Sequence, residues 1–109
     1  QMNRRIETRV IDTGDTELTT LIEKDACEVW WISASSASLT AVAILKIYDG
    51  FDSQGKLVWQ HEGIVNQTHN FVPPIPCDQG ICIYNNQHLP VYTIGYRPKK
   101  WQRHIVEEV

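Results

Sequence analysis

Apolar and polar side chains alternate along most of this chain with a period of two residues, the repeat of a half-buried β-strand. Near the amino terminus, Ile6, Thr8 and Val10 alternate with Glu7 and Arg9. Similar segments recur at roughly ten-residue intervals, separated by turn residues. They cover residues 18–22, 27–34, 39–48, 56–61, 68–72, 81–84 and 91–97.

No segment before residue 99 has the pattern of a helix, and a parallel sheet needs crossover connections that are usually helical. Seven or eight short strands without helices predict an antiparallel sandwich or barrel. We expect an all-β, antiparallel β-sandwich of seven or eight strands, jelly-roll-like, with a short C-terminal tail. The domain is expected to span residues 1–98 and the tail residues 99–109.

The two longest alternating segments predict the centre of the core. Both faces of segment 27–34 are apolar, so we expect a central strand that is covered on both sides. One face carries Cys27, Val29 and Trp31, and the other carries Trp30, Ile32 and Ala34. Strict alternation on the two longest strands places four residues in the core: Val29, Trp31, Leu45 and Ile47.

Turn chemistry dominates the segment from Asp49 to Gly55. Its carboxylates, Asp49 and Asp52, weakly suggest a calcium loop, but such a site needs six to eight oxygen ligands. A hairpin turn is therefore the favoured interpretation. Three prolines within residues 73–76 cannot lie in a central ladder, so that stretch is expected to be a loop or an edge.

Composition and charge fit a single globular domain of 109 residues. Ten Lys and Arg stand against thirteen Asp and Glu, so the basic excess typical of nucleic-acid binders is missing. The longest apolar run, Ala41 to Leu45, is too short to cross a bilayer. No secretory signal is visible at the amino terminus. We expect synthesis in a cytoplasm and no nucleic-acid or membrane partner.

The search for catalytic or metal-binding motifs finds nothing. His61, His69, His88 and His104 lack metal-ligand spacing, and no serine elbow, phosphate loop or dinucleotide motif is present. The expectation is therefore a protein that is not an enzyme, with no metal and no cofactor. His61 and His69 could meet across a hairpin, but exposed strand or loop positions are favoured for both.

Three cysteines are an odd number, and cytosolic thiols stay reduced. We expect free thiols, with Cys27 inside the sandwich. Cys77 and Cys82 flank a turn, so they are the pair most able to form a disulfide if one exists.

Four tryptophans and an apolar tail are the candidate contact residues. Trp31 is expected in the core, and Trp30 and Trp59 partly buried. Exposed tryptophans would serve equally for stacking on sugars or for a subunit interface, where Trp is a frequent anchor. In the tail, Trp101, Ile105 and Val106 recur at helical spacing, and we expect them to dock on a neighbouring copy.

The stretch from Cys27 to Arg97 resembles a group of small phage-encoded β-sandwich proteins. The residues that carry the resemblance are turn and strand signatures over about two thirds of the chain: Cys27, Ile47-Tyr48-Asp49-Gly50, Ser53-Gln54-Gly55, Pro73 to Pro76, Gly80-Ile81-Cys82-Ile83 and Gly95-Tyr96-Arg97. The tail after Arg97 departs from the group's usual ending.

The resemblance implies a non-enzymatic virion accessory component: a head decoration, spike or tail-associated protein, often trimeric. We therefore expect a structural protein of a bacteriophage particle that forms a homo-oligomer, with a trimer favoured, and contacts other virion proteins. The alternative is a carbohydrate-binding module that recognises a host-surface glycan.

Overall fold

A computed structural model describes residues 6–36, 40–63 and 66–99. These residues form eight strands and contain no helix. The strands are β1 (Glu7–Asp12), β2 (Leu18–Glu23), β3 (Cys27–Ser35), β4 (Ala43–Asp49), β5 (Lys56–Gly63), β6 (Gln67–Cys77), β7 (Ile81–Asn85) and β8 (Val91–Pro98). No helix that could span a membrane occurs in the part of the chain that the structure describes.

The strands form two four-stranded antiparallel sheets. Sheet A has the order β1-β8-β3-β6, and sheet B has the order β2-β7-β4-β5. The pairs β1/β8, β2/β7, β3/β6 and β4/β5 are the successive segments of one two-stranded ribbon that closes at the β4–β5 turn. Alternate ribbon segments lie in opposite sheets, which is the jelly-roll arrangement. The predicted all-β sandwich is confirmed, with eight strands.

The core lies between the two sheets and is built from alternate residues of both. Val29, Leu45 and Ile47 are fully buried there, as predicted, and so is Cys27. The other buried members of the cluster are Ile22, Ile32, Ala34, Ala43, Cys77, Ile81, Ile83, Leu89, Tyr92, Ile94 and Tyr96.

A β-bulge in β3 corrects the prediction for Trp31. Val29 pairs with Tyr96 of β8 and Trp31 pairs with the next residue, Gly95, so Trp30 is an extra residue in β3. One inserted residue moves all later side chains to the opposite face. The core positions after the bulge are Ile32 and Ala34. The prediction of Trp31 in the core was wrong because strict alternation assumed an unbroken strand.

The proline-rich stretch belongs to β6, an edge strand of sheet A, which agrees with its prediction as a loop or an edge. The ladder with β3 joins Asn70 to Trp31 and Ile75 to Val29, and residues 71–74 leave it. The Val72–Pro73 peptide bond is cis, and Val72 is 90% exposed. Prolines on an edge remove ladder donors and so hinder edge-to-edge pairing with another chain.

Two adjacent asparagines close the end of the sandwich where β7 stops. Asn86 Oδ1 accepts hydrogen bonds from Ile44 N at 3.0 Å and His88 N at 3.2 Å, and its Nδ2 donates to Val42 O at 2.9 Å. The neighbouring Asn85, fully buried, donates through Nδ2 to the loop that precedes β2. These side chains satisfy backbone groups that the strands leave unpaired.

We expect Leu45→Ala to lower the free energy of unfolding by about 2–5 kcal/mol, because it removes a fully buried side chain from the centre of β4. The measurement is chemical denaturation followed by tryptophan fluorescence. Leu18→Ala is the matched control, since Leu18 is 44% exposed and should cost far less. Equal losses for the two variants would contradict the described burial.

Candidate functional site

An apolar row crosses the outer face of sheet B. Leu21 of β2 pairs with Cys82 of β7, Cys82 pairs with Tyr48 of β4, and Tyr48 pairs with Leu57 of β5. Ile81 and Ile83 point into the core, so Cys82 and its partners point outward. Leu21 and Leu57 are 44% and 46% exposed, whereas Cys82 is 1% exposed because its neighbours close over it. With strands about 4.8 Å apart, the row is about 14 Å long.

Polar side chains border the apolar row on the side toward the asparagine pair. Tyr84 of β7 and Lys46 of β4 are register partners two residues along. The Lys46 Nζ lies 5.5 Å from the centre of the Tyr84 ring, and Tyr84 Oη donates to Glu17 Oε2 at 2.6 Å. That hydrogen bond, and burial after it, raise the pKa of Tyr84 to about 12. The neutral phenol of Tyr84 and its contacts with Lys46 and Glu17 therefore hold this polar border in place.

The β4–β5 turn lies on the other side of the row, and the carboxylate of Asp49 holds it in place. Asp49 accepts backbone hydrogen bonds through both oxygens, from Asp78 N at 3.1 Å and Gln79 N at 2.8 Å. The turn and Gln79 line a shallow pocket of about 480 Å³. Asp49 thus ties the β4–β5 turn to the β6–β7 turn, which agrees with the hairpin interpretation of this segment.

On the outer face of sheet A, Trp31 lies flat over Gly95. A Cβ placed on Gly95 would meet three neighbouring atoms of the indole pyrrole ring, Nε1, Cε2 and Cδ1, all within 2.7 Å. An edge-on ring would bring only one atom so close, so the ring presents its face to the glycine. Its opposite face points away from the sheet. Only a glycine at this position leaves room for the indole.

Trp30, the bulge residue, is half-buried beneath an ion pair. The Arg97 guanidinium carbon lies 5.1 Å from the centre of the Trp30 ring, and Arg97 Nη2 is 2.9 Å from Glu28 Oε1. The Trp30 Nε1 is buried and has no hydrogen-bond partner among the described residues. Partial burial of Trp30 agrees with the prediction, and its interface role stays a prediction.

Trp59 belongs to an aromatic cluster between the edge strands β5 and β6. Its ring centre lies 4.9 Å from that of His69 and 5.6 Å from that of Phe71, both in edge-to-face contact. His61 is parallel to Trp59 at 6.1 Å and lies 5.1 Å from His69. Trp59 is half-buried, as predicted, and it packs against the core.

Both histidines of this cluster correct the sequence prediction. His61 and His69 are half-buried and adjacent, rather than exposed on separate strands or loops. They meet because β5 and β6, although in different sheets, both lie at the same open side of the sandwich. Trp59 is turned toward them, which leaves its ring faces covered by side chains.

The cysteines are distributed differently from the predicted pair. Cys27 and Cys77 are direct register partners on β3 and β6, and both point into the core. Cys82 lies on the outer face of the other sheet. Burial is the main cause that raises the pKa of all three thiols, that of Cys77 to about 12. All three are free in the structure, and the neighbouring pair is Cys27 and Cys77 rather than Cys77 and Cys82.

The predicted tail residues Trp101, Ile105 and Val106 lie outside the described residues. The last described residue, Lys99, donates its backbone N–H to Ala26 O at 2.9 Å, and its Nζ lies 3.5 Å from Asp78 Oδ1. Lys99 therefore lies at the end of the sandwich that holds Asp49 and the β4–β5 turn. Within the described ranges, no group of three or more His, Cys, Asp and Glu side chains could hold a metal ion.

Comparison with known proteins finds no protein-family model and no curated protein that matches this chain.

The histidine cluster predicts a loss of stability in acid. Burial first, and His69 second, lower the pKa of His61 below its ordinary value of 6.5, while Glu62 acts in the opposite direction. The unfolded chain then binds the proton more readily than the folded one, so the free energy of unfolding falls as pH drops through 6.5.

Between about pH 7.5 and pH 5, we expect Tm to fall more for the wild type than for His61→Gln, which removes this titration. The measurement is thermal melting followed by circular dichroism, after the spectra at the higher pH have established a common fold. The same pH dependence of Tm in both proteins would rule out His61 as the source.

The cysteine arrangement predicts three thiols per chain when the unreduced protein is unfolded and titrated with a disulfide reagent. In the native protein all three should react slowly, because they are 0–1% exposed and their pKa values are raised. A count of one thiol would reveal a disulfide. Cys82→Ser then tests the pairing, because a disulfide between Cys27 and Cys77 would leave this variant with no free thiol.

Proposed function

We propose that this protein is a non-enzymatic structural component of a bacteriophage particle, such as a head decoration, spike or tail-associated protein. In this role it associates with copies of itself, with a trimer favoured, and with other virion proteins. The proposal is supported by the jelly-roll fold, which is common in viral capsid proteins, and by the resemblance of residues 27–97 to phage sandwich proteins.

The observation that carries the proposal is the apolar row on sheet B. Burying a leucine side chain that is otherwise exposed stabilises a complex by about 1.5–3 kcal/mol, and Leu21 and Leu57 are each only partly covered. Tyr48 lies between them, and aromatic residues are enriched at interfaces. The row follows one register line across four strands, so it suits an extended segment or the face of another sheet.

The occupant of the row in this proposal is the C-terminal segment of a second copy. Residues 100–109 follow Lys99, which lies at the end of the sandwich nearest the row. Ten residues can span up to about 33–36 Å. The segment offers Trp101, Ile105 and Val106 to the apolar side chains.

Charge adds to this match. The first half of the segment carries Lys100 and Arg103, which can pair with the exposed Asp52 of the adjacent turn, and Glu107 and Glu108 follow in the second half. If each copy passes its segment to the next, the contacts are head-to-tail. Such contacts form a closed ring with a fixed number of copies when the rotation between neighbours divides a full turn.

The first experiment removes the segment by truncation after Lys99, which keeps the contacts of Lys99 with Ala26 and Asp78. We expect the full chain to be an oligomer by light scattering at micromolar concentration, and the truncated chain to be a monomer. Leu57→Glu should also give a monomer, because it puts a charge in the middle of the contact.

The matched control is Val10→Glu, since Val10 is 64% exposed on the opposite sheet and should leave the mass unchanged. An unchanged mass after truncation would show that the segment does not hold the oligomer. A full chain that is monomeric would contradict self-association.

The virion role has its own test. Particles purified by density gradient from the phage that encodes this chain should contain, in a fixed number of copies per particle, a protein whose peptides match this sequence by mass spectrometry. Its gene is expected beside capsid, portal or tail genes. Absence of the protein from washed particles would overturn the virion role.

A further inference from the structure

We propose that the outer face of sheet A holds a binding site for a neutral saccharide, in which one pyranose ring stacks on the free face of Trp31. The site is formed by Trp31 over Gly95 and by the uncharged polar side chains beside them, and we call it the Trp31 platform. This proposal goes beyond the structural role and does not depend on it.

Two local features together place Trp31 on the surface. The bulge at Trp30 turns Trp31 away from the core, and Gly95 leaves the space in which the indole lies flat. A glycine inside a strand is unfavourable by about 0.5–1 kcal/mol relative to alanine, and a bulge disrupts the ladder. Both features lay a large aromatic ring parallel to the sheet, and Trp31 is half-buried, as a ring with one covered face would be.

On the side of the ring away from the Arg97–Glu28 pair, the neighbouring residues are hydroxyl and amide side chains without charge. Thr8 and Asn70 lie on the same register line as Trp31 and Gly95. The next outward-facing line, about 7 Å away along the strands, carries three hydroxyl groups. These belong to Thr93, Ser33 and Thr68, beside Val10.

Two of the hydroxyl groups on this second line are linked, and Thr68 is exposed whereas Ser33 and Thr93 are half-buried. Thr68 Oγ1 donates to Ser33 Oγ at 3.0 Å, which leaves the Ser33 hydroxyl hydrogen and the Thr68 oxygen able to bind a ligand. A sugar ring has one apolar C–H face and a rim of hydroxyl groups. The C–H face can stack on the indole of Trp31. The hydroxyl rim can then reach the donors and acceptors that lie about one ring width away.

Charge selects a neutral sugar over a nucleic acid or an acidic glycan. The two register lines of the platform hold no Lys or Arg. Among the described residues of this face the nearest cation is Arg97, which is engaged by Glu28 and covers Trp30. A base could also stack on an indole, but its phosphates need cationic partners. Acidic sugars have the same requirement.

The experiment first presents the full, labelled protein to an array of glycans and then measures binding by calorimetry. The probes are cellohexaose, chitohexaose and galactohexaose, with polysialic acid and single-stranded dT20 as charged probes. We expect the protein to bind at least one neutral hexamer and neither charged probe. Failure to bind any neutral glycan on the array, or preference for a charged probe, would overturn the proposal.

Variants then locate the site. Trp31→Ala should weaken binding at least about ten-fold, and Trp31→Phe less, because a smaller aromatic face remains. Gly95→Ala should weaken binding as well, since a Cβ there displaces the indole. Leu18→Ala, on the opposite sheet and outside the apolar row, is the control and should bind as the wild type does. Binding that Trp31→Ala leaves unchanged would place any sugar site elsewhere.

A structural role for Trp31 makes a different prediction. If Trp31 only shields Gly95, Thr68→Val and Asn70→Ala should not affect sugar binding, whereas a binding site predicts that at least one weakens it with an unchanged Tm. If Trp31→Ala alters the oligomer mass and the wild type binds no sugar, the platform is a protein contact and the proposal fails. The outcome of the truncation after Lys99 does not bear on any of these results.

Discussion

The inserted residue at Trp30 is the constraint on which the arrangement of sheet A depends. β3 is paired on both sides, and both ladders shift between Val29 and Trp31. The shift lets the two halves of the strand supply core residues that strict alternation would put on opposite faces. A strand without it would bury Trp31 and expose Ile32, and it would place a large indole where the sandwich holds small and aliphatic side chains.

The two strands that pair with β3 accommodate the inserted residue in different ways. β8 places Gly95 opposite the first residue after the bulge, so the outward indole rests on the backbone. β6 leaves the ladder for residues 71–74, where it carries two of its prolines. Since β6 has only one sheet partner, it can depart from the ladder without leaving another strand unpaired. The local sequence of each neighbour therefore follows from its position relative to β3.

Much of the fold could be predicted from the chain, because period-two alternation is a direct consequence of strand geometry. Each of the eight predicted segments contains a strand, although β4 begins at Ala43 rather than at residue 39 and β6 continues through the prolines to Cys77. The burial of Leu45 and Ile47 follows from β4 being regular up to that point. A bulge leaves no such signal, so Trp31 was misplaced. Its one trace was that both faces of segment 27–34 were apolar, which a strand with a phase change also produces.

Which strands lie side by side, within a sheet or across the two sheets, was equally hidden. His61 and His69 meet because β5 and β6 occupy the same open side of the two sheets, and Cys27 faces Cys77 because β3 pairs with β6. Both juxtapositions depend on the strand order, which local patterns do not contain. The apolar row could be found only once β2, β7, β4 and β5 were placed side by side, since its four residues are far apart in the chain.

The two outer faces differ in chemistry, and this difference bears on how both proposals could hold in one molecule. Sheet B presents aliphatic and phenolic side chains in a row, which gain most from losing contact with water. Sheet A presents one flat indole among hydroxyl and amide groups, which suit a ligand that keeps part of its hydration. Because sheets in a sandwich are about 10 Å apart and face opposite ways, a contact made by one leaves the other free. If copies associate through sheet B, Trp31 therefore stays on the outer face of sheet A, where a glycan in the medium could reach it.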